Sequence, residues 1–215
     1  MKILCHRGAW SFEVEKNSMS ALKKALSLGY GFESDLRDYR GELVISHDIA
    51  DENSPLAEEV FKVLSTPPLV EVDAYFAINI KADGLVVGLK SLIEKYSIKN
   101  YFVFDMSLPQ MLSYRAAGLI FFTRQSEFEK IPLLYEDSAG IWLDSFISDD
   151  WINADLIQKH FNAGKKVCVV SPELHGRSPY ELWAKLKLID NPNLFLCTDL
   201  LTKAEEFFGG EKLED

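Results

Sequence analysis

The chain has 215 residues, 47% of them hydrophobic, and a formal net charge of -10 with its acidic residues dispersed. That balance argues against duplex nucleic acid or an anionic membrane as the main partner, since both reward basic surface. It leaves room for a small phosphate-bearing molecule, whose charge a metal ion and a few arginines can meet inside a cleft. No apolar run approaches the roughly 20 residues that a membrane span needs, so no stable membrane insertion is expected. The opening Met1-Lys2-Ile3-Leu4-Cys5-His6 has no leader-like apolar segment. Cys5, Cys168 and Cys197 each fall inside a strand-like run, which predicts buried, reduced thiols and a cytoplasmic setting.

Strand-like and helix-like patches alternate along the chain. Strands are predicted at 3–6, 31–36, 75–80, 101–104, 119–123, 140–143, 166–170 and 194–198. A short extra strand at 43–46 is expected to form a ribbon with the end of the second, a small insertion at that point. Helices are predicted at 18–28, 56–64, 85–96, 108–116, 150–162, 179–189 and 201–208. Only the stretch around 128–136, between the fifth and sixth strands, lacks a helical pattern. Asn17 or Ser18 offers a cap for the first helix, Pro179 suits a first helical turn, and Gly29, Gly118 and Gly164 sit just past helix ends. Eight such units predict an α/β fold, a single-domain TIM (β/α)₈ barrel over residues 1–208, with 209–215 as a frayed tail. A doubly wound open sheet is the competing architecture, and it requires several of these strands to be misread. His160 falls in the middle of a predicted helix and is expected to be structural and solvent-facing.

In a barrel, chemistry belongs at the C-terminal ends of the strands. The ends here read His6-Arg7-Gly8, Glu33-Ser34-Asp35, Ser46-His47-Asp48 after the ribbon, Asn79-Ile80-Lys81, Asp105, Arg124, Asp144 and Ser171. Glu33 and Asp35 are two apart, so they share one face while Phe32 and Leu36 take the other. Two inward carboxylates repel by roughly 4 kcal/mol at 4 Å and effective dielectric 20, a strain that a hard cation between them relieves. A structural salt bridge explains such a pair equally well. Asn79 and Lys81 repeat the same spacing on the third strand.

The ordered string His6-Arg7-Gly8, Asn17-Ser18, Glu33-x-Asp35, Gly41 and Val44-x-x-His47-Asp48 resembles the signature of the glycerophosphodiester phosphodiesterase family, within the phospholipase-C-like phosphodiesterases. Asn79-x-Lys81 and Cys197-Thr198-Asp199 are fainter echoes of it. The resemblance implies a metal-dependent phosphodiester hydrolase acting on a small polar diester, with roles in lipid and glycerol metabolism. By the same resemblance, His6 and His47 would form the acid–base pair and Arg7 would hold phosphate oxygens. Glu33, Asp35 and Asn79 would bind Mg²⁺ or Ca²⁺, and Lys81 would contact the substrate. His175, in the loop 171–177 after the seventh strand, is a further substrate-binding candidate, although that composition also suits an ordinary turn.

Three departures stand against the family pattern. Asn79 replaces a carboxylate, Lys16 stands where the family has a glutamate before Asn17-Ser18, and only 49–55 follows His47 where a long insertion is common. Asp105 and Asp144 are then further candidates for the metal or for substrate hydroxyls. A barrel that binds a phosphate ligand without turning it over is one alternative; a diesterase for sugar- or lipid-linked head groups is another. The sequence shows no apolar patch suited to membrane docking.

Overall fold

The computed structural model describes residues 1–66 and 74–209, so the tail expected at 210–215 lies outside the described residues. Nine strands and seven helices are described. They run β1 (Lys2–His6), α1 (Met19–Ser27), β2 (Gly31–Tyr39), β3 (Glu42–Ile45), α2 (Ala57–Leu64), β4 (Phe76–Ile80) and α3 (Val86–Lys95). There follow β5 (Tyr101–Phe104), α4 (Leu108–Ala116), β6 (Phe122–Gln125), β7 (Gly140–Leu143), α5 (Ala154–Asn162), β8 (Lys166–Val170), α6 (Tyr180–Lys187), β9 (Leu194–Thr198) and α7 (Leu201–Phe208).

Eight strands pair in parallel in the order β5-β4-β2-β1-β9-β8-β7-β6, and β3 pairs antiparallel with the outer end of β2. The ring closes at a single parallel bridge, Val103 to Phe121, where the Val103 amide donates to the Ile120 carbonyl at 2.9 Å. This is a TIM barrel of one domain, with helices around it. Arg40 (φ 50°) and Gly41 (φ 89°) make the tight β2–β3 turn, since both central positions of such a hairpin need left-handed backbone.

Side-chain parity sorts the two sides of the barrel wall. Phe32, Leu36, Ile78 and Ile80 pack outward against the helices, as alternation requires. Inside, Phe102 stacks on Phe122 and Phe104 on Trp142, each pair 3.8 Å between centroids. These rings fill the lumen, so the barrel is a packed core rather than a pore. All three cysteines are free and buried, and burial drives their thiols upward, Cys5 to about 12.

Three expectations need correction. The strand expected at 119–123 instead occupies Phe122–Gln125, because Phe121 is used in the closing bridge and pairing with β7 starts only at Phe122 with Gly140. The helix expected from 150 begins at Ala154, where the Asn153 side chain caps it by accepting from the Leu156 amide at 2.9 Å. His160 does not face solvent: it is 3% exposed, with Tyr135 Oη and Gln125 Oε1 each 2.9 Å from its two ring nitrogens. Large apolar side chains stand exposed on the loops that follow the strands, among them Phe12, Val14, Ile49, Phe128, Ile131 and Ile147.

Candidate functional site

Asp35 is the hub of the rim. It is fully buried, with Arg7 Nε 2.9 Å from Oδ2 and Lys81 Nζ 3.3 Å from Oδ1. Asn17 Nδ2 donates to Oδ2 at 2.8 Å, while Ser34 Oγ donates to Asn17 Oδ1 at 2.8 Å and so fixes which way the amide faces. Ser18 is the helix cap, accepting from the Ala21 amide; Asn17 is free to serve the site. A buried carboxylate needs such partners, since an unpaired one costs several kcal/mol.

The turn after β1 delivers these groups under strain. Arg7 (φ 56°) and Asn17 (φ 62°) both hold left-handed backbone, of order 1–3 kcal/mol each for a non-glycine residue. Their backbones meet, the Asn17 amide donating to the Arg7 carbonyl at 2.9 Å. Gly8 has φ 92°, and a Cβ there would lie 2.7 Å from the Ala21 carbonyl carbon. Glycine after His6-Arg7 is therefore what lets α1 press against the strand end.

His6 sits beside this hub. Its Nδ1 is 2.6 Å from Asp199 Oδ1, and its Nε2 is 3.9 Å from Glu33 Oε2. Asp199 is in turn held by its backbone amide, which donates to Glu173 Oε1 at 3.2 Å; the Thr198 hydroxyl donates to the same carboxylate. Burial alone would raise the Asp199 carboxyl. The hydrogen bond and charge of His6, with the Lys16 ammonium 3.4 Å from Oδ2, outweigh burial and hold it below the usual range. Lys16 itself rests over the Trp10 ring, 4.4 Å from its centroid, and Trp10 Nε1 donates to the His6 carbonyl at 3.1 Å.

Glu33 is the most perturbed acid of the group. Burial first, then the neighbouring Asp35 charge, push its carboxyl up to about 7 against the pull of His6, Arg7 and Lys81. Asn79 lies opposite Asp35 in the β2–β4 register, and its Oδ1 is buried with no hydrogen-bond partner. Glu33, Asp35 and Asn79 thus offer an all-oxygen set, although among the described residues no group of three His, Cys, Asp or Glu could hold a metal.

The other candidates lie further out. His47 is partly exposed, its Nδ1 2.9 Å from Asp48 Oδ1, and it shares with Arg7, Lys16 and Asn17 the wall of a cavity of about 520 Å³. His175 Nε2 is 2.7 Å from Asp144 Oδ1, on the part of the rim built by β7 and the loop after β8, and its ring meets Phe146 edge-on. Asp105, the other acidic alternative, is bound to Arg124 at 2.8 Å. The structure therefore joins His6, Arg7, Glu33, Asp35 and Lys81 in one contact network with Asn79 alongside. His47 shares a cavity wall with Arg7, and His175 stands apart.

The sequence marks Asn17 as a possible cap and a member of the family-like string, and Asp199 as a faint echo of it, but assigns neither a role in the site. The Thr198-Asp199 pair after the last strand was the available signal, but nothing local says that it reaches back to a histidine 193 positions away.

These features define a parallel eight-stranded TIM barrel with its ionisable groups gathered at the C-terminal rim of the strands. Solved structures share that architecture. A glycerophosphodiester phosphodiesterase from Parabacteroides distasonis superposes with TM-score 0.66 at 15% identity, covering 97% of this chain and 96% of that one. A second such enzyme from the same organism gives 0.70 at 13% identity over 97% and 86% of the two chains. A protein assigned as a glycerophosphoryl diester phosphodiesterase from Silicibacter pomeroyi gives 0.73 at 12% identity over 97% and 93%. No family model and no curated protein matches the chain.

Proposed function

We propose that this chain is a phosphodiester hydrolase that cleaves a small polar diester bearing a hydroxyl beside the scissile bond, such as a glycerophosphodiester. The observation that carries the reading is His6 fixed on Asp199 at 2.6 Å beside an arginine and a carboxylate pair. With Nδ1 committed to Asp199, the His6 Nε2 is the nitrogen left to exchange a proton with substrate. His47 is likewise committed through Nδ1 to Asp48, so its Nε2 is the working atom. One imidazole takes the proton of the substrate hydroxyl as that oxygen bonds to phosphorus. The other gives a proton to the departing alcohol as its P–O bond breaks. Water then opens the cyclic diester with the two roles exchanged. Arg7 holds non-bridging oxygens as their charge grows, Lys81 supports the same oxygens, and His175 meets a substrate hydroxyl.

The donor set fits a hard divalent cation, Mg²⁺ or Ca²⁺, held by Glu33, Asp35 and the orphaned Asn79 Oδ1. When bound, such an ion would screen the Glu33–Asp35 repulsion and draw negative charge off the phosphoryl group. Two features favour a second reading, in which the barrel binds a phosphate ligand without turnover. Lys81 already lies 3.3 Å from Asp35 Oδ1, and Asn79 brings no charge.

The deciding experiment is a metal-by-substrate activity screen on cation-stripped protein, repeated with His6→Ala and His47→Ala. Turnover of a glycerophosphodiester that disappears in both variants supports hydrolysis. Tight phosphate binding with no turnover under any metal establishes the binding protein instead.

A further inference from the structure

The barrel wall is split on one side, and the split leads into a second cavity. Beyond the lone Val103–Phe121 bridge, β5 and β6 pair no further. No helix lies between Gln125 and Gly140 to cover the gap. A cavity of about 610 Å³ occupies it. Its lining sets the charged Asp105, Arg124, Glu129 and Lys130 beside a larger apolar share that includes Met111, Phe128 and Ile131.

Three observations point to what fills it. First, the cavity joins the rim that carries the catalytic candidates. The β4–β5 register sets Asn79 opposite Phe104, so Lys81 and Asp105 leave adjacent strand ends. Second, Arg124 in its lining is bracketed by Asp105 and Glu129, which leaves that guanidinium little charge to offer a phosphate. Third, its lip keeps large apolar side chains in water: Phe128 is 69% exposed and Ile131 is 84% exposed. Leaving such groups exposed forgoes apolar burial that an apolar occupant would supply.

We propose that this cavity receives an apolar arm of the substrate, so that the preferred diester carries an alkyl or acyl chain on one side of its phosphate. The inference rests on the phosphodiesterase reading and sharpens its substrate class. The phosphoryl group stays with Arg7 and Lys81 while the chain runs past Asp105 into the gap between β5 and β6. The apolar wall supplies affinity, at about fourfold for each methylene taken out of water.

The test is calorimetric binding to the intact protein of octyl phosphocholine, below its micelle-forming concentration, against glycerophosphocholine. The octyl compound is a diester with no hydroxyl beside the phosphate, so attack from within the substrate cannot consume it. It is expected to bind at least tenfold more tightly. Met111→Trp, which fills the cavity, and Ile131→Glu, which alters only the exposed lip, should each remove most of that advantage and leave glycerophosphocholine binding unchanged. Ile131→Glu guards against misfolding as the cause, since its side chain supports no core. Equal affinities, no binding of the octyl compound, or an advantage that survives both variants would each overturn the proposal. Turnover of glycerophosphocholine is measured in parallel. Its absence with the octyl preference intact would count against hydrolysis and leave the apolar site standing.

Discussion

The two sides of the barrel rim solve the problem of charge in opposite ways. On the side built by β1, β2, β4 and β9, polar groups are buried and tied together. Asp35 alone gathers Arg7, Lys81 and Asn17, and His6 bridges toward Asp199. On the side of β5 and β6 the wall parts, one ion-pair cluster lines the gap, and apolar side chains beside it stand in water. The first arrangement fixes atoms in place, as transition-state stabilisation requires, because preorganised donors need no rearrangement during reaction. The second holds volume open, which suits selection of a ligand rather than its chemistry. Rigidity and space are thus segregated around one ring.

If the tied side is the catalytic one, the largest effects should come from its histidines. His6→Ala and His47→Ala are each expected to lower kcat by about 10² to 10⁴ with the fold intact by circular dichroism. The double variant should be little worse than the poorer single, since the two act as a unit. Retention of more than about a tenth of the turnover would remove that histidine from its role. Asp199→Asn comes next. The amide can still meet the ring but cannot balance an imidazolium, so kcat should fall by roughly 10 to 100-fold with KM nearly unchanged, and the acid limb of the pH–rate profile should move. A KM effect alone would make Asp199 a binding residue.

The contrast also explains what was legible in the sequence. Strand parity put Glu33, Asp35 and Asn79 on one face because the β period is two, and alternating outward neighbours Phe32, Leu36, Ile78 and Ile80 made that face plain. The His6-Arg7-Gly8 turn was legible through its place in the family-like string, and the structure supplies the reason for its glycine, the close approach of Ala21. The Asp199–His6 contact joins the first and last strands, and barrel closure rather than any local pattern creates it. The start of β6 was misplaced because Leu119-Ile120-Phe121-Phe122 is apolar throughout and gives no parity signal. His160 was misjudged for a related reason. Its burial comes from Gln125 and Tyr135, partners distant in sequence.

A smaller effect tests the cation within the tied side. Asn79→Glu adds a third carboxylate beside Glu33 and Asp35, and should tighten Mg²⁺ or Ca²⁺ by about tenfold or more in calorimetric titration, a part of the roughly 4 kcal/mol that one close charge pair carries at effective dielectric 20. The Lys81 ammonium on Asp35 limits the gain, since a third acid also strengthens its competing salt bridge. No gain would show that Asn79 does not face the ion. Nanomolar affinity in the unaltered chain would instead require a further ligand, for which Asp144 and Asp105 are the acids on the rim.

The smallest expected effect lies behind the open side, at His160. Burial, with a lesser push from Lys159, depresses its imidazole from 6.5 to about 4. Both ring nitrogens are engaged, by Tyr135 Oη and Gln125 Oε1, a pairing that a neutral ring satisfies by donating to the glutamine carbonyl and accepting from the phenol. The unfolded chain takes up this proton near 6.5 and the folded chain only near 4. Stability from the neutral ring is therefore complete above pH 6.5 and is lost as pH falls toward 4. The corresponding loss of stability is on the order of 1–3 kcal/mol. Urea unfolding at pH 7.5 and pH 4.5 should resolve it against His160→Gln. That variant cannot charge and should lose less stability than the parent over the same interval. An identical pH dependence in parent and variant would mean that protonation of this ring does not open the joint between α5 and β6, and that carboxylates on the tied side govern the acid limb instead.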